Sequence, residues 1–315
     1  MNPPRSARAS APASVGNIGV GFDLLGHALD GWGDEATVER VQAPGVRICG
    51  IEGDSPGVAD IPLDPQRNTA GRALLALCEQ VGLPFGFELT LHKGLPLGSG
   101  LGGSAASCVA ALTAANALLE SPLTPQQLYP FALAGEAVAS GSVHGDNVAP
   151  MLLGGVTLAT PQSAIRLTAP DWLHAAVVHP RQSLETRRAR AALADPYTLP
   201  QVVAQTTHLA LFLTGMQRGD AELIGAGLHD VLVEPRRAPL IPGFAAVKAA
   251  ALDHAALGAS ISGAGPSVFA WFASRRAAEQ ALEPMRQAFR DAGFDANGLV
   301  SPVNAAPARV IACAA

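Results

Sequence analysis

The stretch LPLGSGLGGSAAS, residues 95–107, is the most informative part of this sequence, because it places four glycines in six residues. The residues before it, FELTLHK at 87–93, alternate apolar with polar side chains, which predicts a strand with one buried face. From Ser104 onward, apolar residues recur every three to four positions, which predicts an amphipathic helix that ends near residues 120–125. The glycine-rich loop is therefore expected to join a strand to the N-terminus of a helix.

A loop in this position suits a bound phosphate group. The first turn of a helix presents unpaired N–H groups and about half a positive charge, and glycine lets a ligand approach the backbone closely. Gly98, Gly100 and Gly103 fit the dinucleotide pattern GxGxxG, but no second strand ending in an acidic residue follows about 20 residues later. Lys93 precedes the loop, whereas a Walker A loop ends in Gly-Lys-Ser or Gly-Lys-Thr. Neither of these two phosphate-binding loops fits the sequence.

The composition favours a small ligand over a macromolecular partner. The 315 residues are 49% hydrophobic and 15% charged, with a formal net charge of -5, so the chain can bury a large core and lacks the basic surface that nucleic acid requires. No apolar run approaches the roughly 18 residues of a membrane span, and the opening residues contain no apolar signal segment. The four cysteines stand far apart, which argues against a disulfide framework or a zinc site. We expect a cytoplasmic protein with no nucleic-acid or membrane partner.

The glycine-rich loop resembles the ATP-binding motif of the GHMP kinase family, whose usual form is P-x-x-x-G-L-G-S-S-A-A. The matching residues are Pro96, Gly100, Leu101, Gly102, Ser104, Ala105 and Ala106. Four further segments, in family order, are similar to those of GHMP kinases that act on homoserine. They are APASVGNIGVGFDLLG (11–26), SGSVHGDNVAPMLLGG (140–155), EPRRAPLIPGF (234–244) and SISGAGPSVFA (260–270). The resemblance thus covers nearly the whole chain.

The resemblance implies a two-domain fold of the mixed α/β (α+β) class. An N-terminal α/β half, residues 1–163, is expected to bind the nucleotide, and a C-terminal half, residues 164–315, is expected to be ferredoxin-like. The segments VTLAT (156–160) and HAAVVHP (174–180) read as strands on either side of this boundary, with a proline-containing connection between them. The family places the active site in the cleft between the halves.

The resemblance also implies an activity. Such an enzyme phosphorylates the hydroxyl of L-homoserine with ATP and Mg²⁺, gives O-phospho-L-homoserine and ADP, and serves threonine biosynthesis as a homodimer. Two alternatives stay open at this point. The chain could be a GHMP kinase of another small molecule, or a GHMP-fold binding or regulatory protein that does not turn its ligand over.

Site residues are carried over from the matching motifs. The amino-acid pocket is implied to contain Asn17, Asp23, His144, Thr186, Arg190, Arg237 and Gly263. The carboxylate of Asp23 suits the substrate ammonium, and the planar guanidinium groups of Arg190 and Arg237 suit its carboxylate. The nucleotide site is implied to contain Asn68, Lys93, Pro96, Leu97, Gly98, Ser99, Gly100, Leu101, Gly102, Gly103, Ser104, Ala105 and Ala106.

The resemblance further implies the groups nearest the reaction. Glu136 and Ser104 are expected to hold magnesium, and Lys93 is expected to be a further catalytic residue. Asp146 or Asn147 is expected to orient the substrate hydroxyl without acting as a proton acceptor. The chain departs from the family at Gly103, where a serine is usual. Either a magnesium-side hydroxyl has been lost at this position, or the backbone of this chain requires glycine there.

Overall fold

The computed structural model describes residues 4–140 and 144–314. The strands are β1 (Ser6–Gly16), β2 (Leu25–Val41), β3 (Gly45–Glu52), β4 (Gly86–His92), β5 (Val156–Ala159), β6 (Ala164–Arg166), β7 (His174–Pro180), β8 (Gly258–Ile261), β9 (Val268–Phe272), β10 (Ala296–Pro302) and β11 (Arg309–Ala314). The helices are α1 (Thr69–Val81), α2 (Gly103–Asn116), α3 (Pro125–Ser140), α4 (Val148–Leu153), α5 (Thr186–Ala191), α6 (Leu199–Arg218), α7 (Ala221–Gly227), α8 (Glu234–Arg237), α9 (Phe244–Asp253) and α10 (Arg275–Asp291).

A larger sheet forms the frame of the N-terminal half. Its main path runs β11-β1-β2-β4-β3, and every pair on that path is antiparallel except β3 with β4. The sequence predicted β4 and the start of α2 correctly, but the expectation that α2 is amphipathic is wrong. Ten of its fourteen residues are buried, because the sheet covers one side while α1 and α3 cover the other. A helix made of small uncharged residues can be buried in this way on most of its surface.

The C-terminal half contains the predicted ferredoxin-like arrangement. Its sheet has the order β10-β7-β9-β8 and is antiparallel throughout. The helices α5 to α9 lie between β7 and β8, and α10 connects β9 to β10, which gives the β-α-β-β-α-β connectivity of that fold. The buried face of α10, with Ala278, Ala281, Met285 and Phe289, packs on this sheet beside α9.

The two halves are more interwoven than a simple division at residue 163 suggests. The predicted connection contains β6, which pairs with β5 in the larger sheet, and β11 returns from the end of the described chain to pair with β1. Across the halves, Trp271 Nε1 of β9 donates a 3.2 Å hydrogen bond to His27 Nε2 of β2. Among the described residues, no helix is both long enough and apolar enough to cross a membrane. The division into 1–163 and 164–315 stays a prediction.

Candidate active site

The glycine-rich loop connects β4 to α2, as predicted. Gly98, Gly100 and Gly102 have positive φ angles of 64°, 75° and 72°, a region that strains other residues. A Cβ at position 100 would lie 2.5 Å from the carbonyl oxygen of Ser262. At position 103 the φ is not positive, and a Cβ would approach nothing closer than 3.6 Å. The loop therefore needs glycine at position 100 but leaves room for a side chain at position 103.

The C-terminal half holds three consecutive carbonyl groups of this loop. The carbonyl of Gly98 accepts a 3.1 Å bond from the Leu184 N–H, and the carbonyl of Gly100 accepts a 2.8 Å bond from Ser262 Oγ. The carbonyl of Ser99 accepts bonds of 3.2 and 2.6 Å from the N–H and Oγ of Ser267. The N–H groups of residues 98–103 donate to no acceptor in the described part of the chain. They remain available to an anion in the cleft.

The contact from Ser267 extends to a buried histidine of β7. Ser267 Oγ lies 3.0 Å from His179 Nδ1. Because the Ser99 carbonyl can only accept, Ser267 must donate its one proton there, so His179 must donate from Nδ1. Burial lowers the pKa of His179 to about 4, so the ring is neutral at pH 7.

Beneath the loop, a buried ion pair joins Lys93 to Asp34 of β2. Lys93 Nζ also donates to the carbonyl of Gly103 at 2.6 Å and to Ser107 Oγ at 2.8 Å, so its three protons are engaged. The other carboxylate oxygen of Asp34 accepts from the N–H groups of Gly94 and Leu95 at 2.9 and 3.0 Å. Lys93 therefore supports the loop from below.

Asp34 is not among the residues predicted from the sequence, although the sequence contains one signal for it. Asp34 shares its parity in β2 with buried Ala36 and Val38, so an acid occupies a position where the alternation predicts an apolar residue. No comparable signal marks Ser262 or Ser267, because serine is common in turns.

Glu136 of α3 and Ser104 of α2 meet at one edge of the loop. Ser104 Oγ donates to the carboxylate of Glu136 at 2.9 Å. Burial raises the pKa of Glu136 to about 7, and the hydrogen bond from Ser104 opposes the shift. These hard oxygen donors suit Mg²⁺, which usually takes one or two protein ligands and completes its shell with phosphate and water. The described residues contain no group of three or more His, Cys, Asp or Glu side chains that could hold a metal ion.

At the opposite end of the cleft, Asp23 is the centre of a charged cluster. Its carboxylate accepts two hydrogen bonds from Arg190, at 3.1 and 3.2 Å, and lies 3.3 Å from His144 Nδ1. Asp23 has a positive φ of 58°, and its N–H donates to Asn17 Oδ1 at 2.9 Å. Asn17 Nδ2 in turn donates to the carbonyl of Gly263 at 2.8 Å. Four of the predicted amino-acid-site residues are thus in one hydrogen-bonded group, and His144 lies beside it.

Arg237 of α8 is only 2% exposed and borders this cluster. Its guanidinium donates to the carbonyls of Ala189 and Gly263 at 3.2 and 2.9 Å, and it forms no ion pair with a carboxylate in the described part of the chain. Burial lowers the pKa of Arg237, and the positive charge of Arg190 acts in the same direction. A buried guanidinium that has no carboxylate partner in the described part of the chain favours a bound anion.

Asp146 and Asn147 lie where the two ends meet. Asn147 Oδ1 accepts a 2.8 Å hydrogen bond from Ser14 Oγ. Burial raises the pKa of Asp146 to about 7, and the charge of Asp23 raises it further, while the N–H of Asn17 stabilises the ionised form. Residues 141–143, which belong to the same sequence motif, lie outside the described residues.

One cavity of about 390 Å³ gathers most of the predicted site, a size typical of small-ligand pockets. The predicted residues that line it are Asn17, Asp23, Asn68, Lys93, Pro96, Leu97, Gly98, Ser99, Gly100, Gly102, Gly103, Ser104, Glu136, His144, Asp146, Asn147, Thr186, Arg190, Arg237 and Gly263. Leu101, Ala105 and Ala106 do not line it, because their side chains are fully buried in the core. Asn68 lines it but also caps α1, accepting from the N–H groups of Ala70 and Gly71. The roles of these residues stay predictions.

Family models match both halves of the chain. The model described as the GHMP kinases N terminal domain matches residues 68–155, and the model described as GHMP kinases C terminal matches residues 212–291.

Full-length relatives are similar throughout. A homoserine kinase of Xanthomonas campestris pv. campestris is 59% identical, with 98% of this chain and 95% of that protein covered. A homoserine kinase of Xylella fastidiosa is 58% identical, with 97% and 94% covered.

Solved structures of kinases are also similar to this chain. The crystal structure of a homoserine kinase from Cytophaga hutchinsonii matches with a TM-score of 0.92 at 41% identity, and 98% of each chain is covered. A mevalonate kinase of L. major, in complex with R-mevalonate, has a TM-score of 0.70 at 16% identity over 97% of this chain and 100% of that one. The latter likeness shows a shared fold only.

Proposed function

The chain belongs to the GHMP kinase family, and we infer that it transfers the γ-phosphoryl group of ATP to the hydroxyl of L-homoserine. The products are O-phospho-L-homoserine and ADP, in threonine biosynthesis. The high identity to homoserine kinases over almost the whole chain supports this activity. The geometric observation that carries it is a single cleft with free loop N–H groups at one end and the buried guanidinium of Arg237 at the other.

At the nucleotide end, we propose that the N–H groups of residues 98–103 bind the phosphate oxygens of ATP. Glu136 and Ser104 would hold Mg²⁺, since both present oxygen at the edge of the loop. When bound, ATP supplies the phosphoryl group and Mg²⁺ offsets its negative charge. Lys93 and Asp34 act indirectly, because they fix the start of α2 and the residues that follow β4.

At the amino-acid end, we propose that Arg237 and Arg190 bind the substrate carboxylate and that Asp23 binds its ammonium. The ion pair between Asp23 and Arg190 then opens to admit a zwitterion, each side chain exchanging one charged partner for another. The remaining residues proposed for this end are Asn17, His144, Thr186 and Gly263.

We propose that Asp146 and Asn147 orient the substrate hydroxyl between these two ends. The bond that forms joins the hydroxyl oxygen to the γ-phosphorus, and the bond that breaks joins that phosphorus to the ADP oxygen. The hydroxyl proton passes to an oxygen of the transferred phosphoryl group and from there to solvent. Positioning and charge stabilisation account for most of the catalysis of such a reaction, so no strong general base is required.

A coupled assay of ADP formation tests this function. With ATP and Mg²⁺, the chain should turn over L-homoserine far faster than mevalonate, galactose or shikimate. A preference for one of the other three would instead support another GHMP small-molecule kinase. Homoserine binding detected by calorimetry without ADP formation would support a binding or regulatory protein.

We also propose a homodimer, with α6 as its interface. The helix carries no Asp, Glu, Lys or Arg before Arg218, and it exposes Leu199, Val202 and Val203 by 75%, 42% and 56%. A two-fold interface pairs a surface with itself, and an uncharged surface does so without like-charge repulsion. Val203→Glu should convert the dimer to a monomer in light scattering, whereas Gln217→Glu should not. A wild-type monomer would contradict the proposal.

We propose that the protein is cytoplasmic and that its sequence divides into residues 1–163 and 164–315. The four cysteines are unpaired thiols, which suits the reducing cytoplasm. The boundary at residues 163 and 164 divides the sequence, whereas in the structure β6 and β11, which follow it, pair in the larger sheet.

A further inference from the structure

A second cavity of about 510 Å³ adjoins the amino-acid end of the active site. Its walls are largely apolar and include Leu24, Leu193, Leu209 and Val233. We refer to it as the side cavity. It lies between α6 and the segments that carry the charged cluster, and no function described above uses it.

Phe22 and Arg190 line both the active-site cleft and the side cavity. The ring of Phe22 is also the contact surface of two guanidinium groups: its centroid lies 5.1 Å from Cζ of Arg237 and 5.5 Å from Cζ of Arg190. Both distances fall within the range of a cation–π interaction. Phe22 therefore occupies the boundary between the two spaces and touches both arginines proposed to bind the carboxylate.

The side chains that line the side cavity are mostly apolar, so an alkyl group placed in it would contact apolar walls.

We propose that Phe22 is a specificity-determining residue, whose ring restricts the pocket to an amino acid with a free carboxylate. Without the ring, the cleft and the side cavity become one space, which accepts a homoserine whose carboxyl group carries an apolar amide extension. This inference rests on the proposed function, because the carboxylate must lie at the two arginines.

The test compares L-homoserine with L-homoserine isobutylamide, which keeps the reacting hydroxyl. In Phe22→Ala, the ratio of kcat/KM for the amide to kcat/KM for homoserine should rise by about tenfold or more. The ratio is taken within one protein, so loss of folded enzyme cancels. Leu209→Ala is the matched control, because it enlarges only the side cavity and should leave the ratio unchanged. Adding Leu209→Trp to Phe22→Ala should fill the space and remove the gain.

Calorimetry separates this inference from the proposed function. If the wild-type chain neither binds nor phosphorylates homoserine, the proposed function fails. The inference about Phe22 fails if Phe22→Ala gains no affinity for the amide relative to wild type, or if Leu209→Ala gains as much. Phe22→Tyr keeps the ring and should retain the wild-type preference, so a large gain in this variant would also overturn the inference.

Discussion

The two ends of the cleft, one proposed for the nucleotide and one for the amino acid, are built in different ways. The nucleotide end is built from main chain: glycines with positive φ, carbonyls held from the other half and N–H groups left free. The amino-acid end is built from side chains, with Asp23, Arg190 and Arg237 buried or half-buried around it. We therefore expect the first end to be sensitive to an added Cβ and the second to the shape of a charged group.

The largest expected effect is that of Gly100→Ala. The new Cβ would meet the Ser262 carbonyl at 2.5 Å in a backbone region of positive φ, so the loop would have to move. We expect kcat/KM for ATP to fall by about 1,000-fold, while calorimetric affinity for homoserine changes little. Gly50→Ala is the control, since nothing lies within 4 Å of its Cβ position. A similar loss in the use of ATP and in the affinity for homoserine would contradict the distinction between the two ends.

The next largest effect is a loss of folding stability at low pH, which would affect both ends of the cleft. Burial lowers the pKa of His27 to about 4 in the folded protein, below its usual value of 6.5, so the folded state binds the proton less well than the unfolded state. The contribution of neutral His27 to the free energy of unfolding is complete above pH 6.5 and is lost as the pH falls toward 4. For this one group the loss is about 2 kcal/mol at pH 5.

Urea unfolding of wild type and His27→Gln at pH 7.5 and pH 5 isolates this contribution. Between the two pH values the variant should lose about 2 kcal/mol less than wild type, because no imidazole then titrates at the contact with Trp271, while the other titrating groups are the same in both proteins. ATP and homoserine binding should weaken together as the fold is lost. A variant with an unchanged pH dependence would show that His27 does not couple folding to protonation.

A smaller effect is expected for Arg237→Lys at the amino-acid end. Lysine keeps the positive charge but loses the planar fork, so KM for homoserine should rise by about tenfold while KM for ATP stays nearly constant. Arg188→Lys serves as the control, because Arg188 is exposed on α5. Steady-state kinetics with each substrate varied in turn would measure both KM values. Similar losses for both variants would contradict the proposed arrangement of arginines.

The smallest effect is expected for Gly103→Ser. The structure leaves room for the side chain, with Lys93 Nζ at 3.6 Å as the nearest atom to the new Cβ. We expect the maximal rate to change by less than about twofold and the Mg²⁺ midpoint to stay the same or fall, since a hydroxyl would be added near the proposed metal site. A large loss of maximal rate with no change in the Mg²⁺ midpoint would show that the loop of this chain differs in shape from that of its relatives.

The sequence predicts local features of the site well and long-range ones poorly. The strand, the loop and the helix start at Gly103 follow from periodicity and glycine content, because each depends on neighbouring residues. The burial of α2 on nearly all sides depends on α1 and α3, so the helical period gave the wrong expectation. The bond from Ser262 to Gly100 spans 162 residues, and nothing near either residue announces it.

Because β11 pairs with β1, the larger sheet can be completed only after the end of the chain has been synthesised. β1 is paired along one edge by residues that leave the ribosome about 300 positions later, as the register of Ser6 with Ala314 shows. Until then the outer edge of β1 exposes unpaired N–H and C=O groups, the kind of edge on which strands of other chains can assemble. An excised fragment ending at residue 163 would keep that bare edge permanently. The nucleotide-binding half is thus contiguous in sequence but depends on a distant strand for its completion.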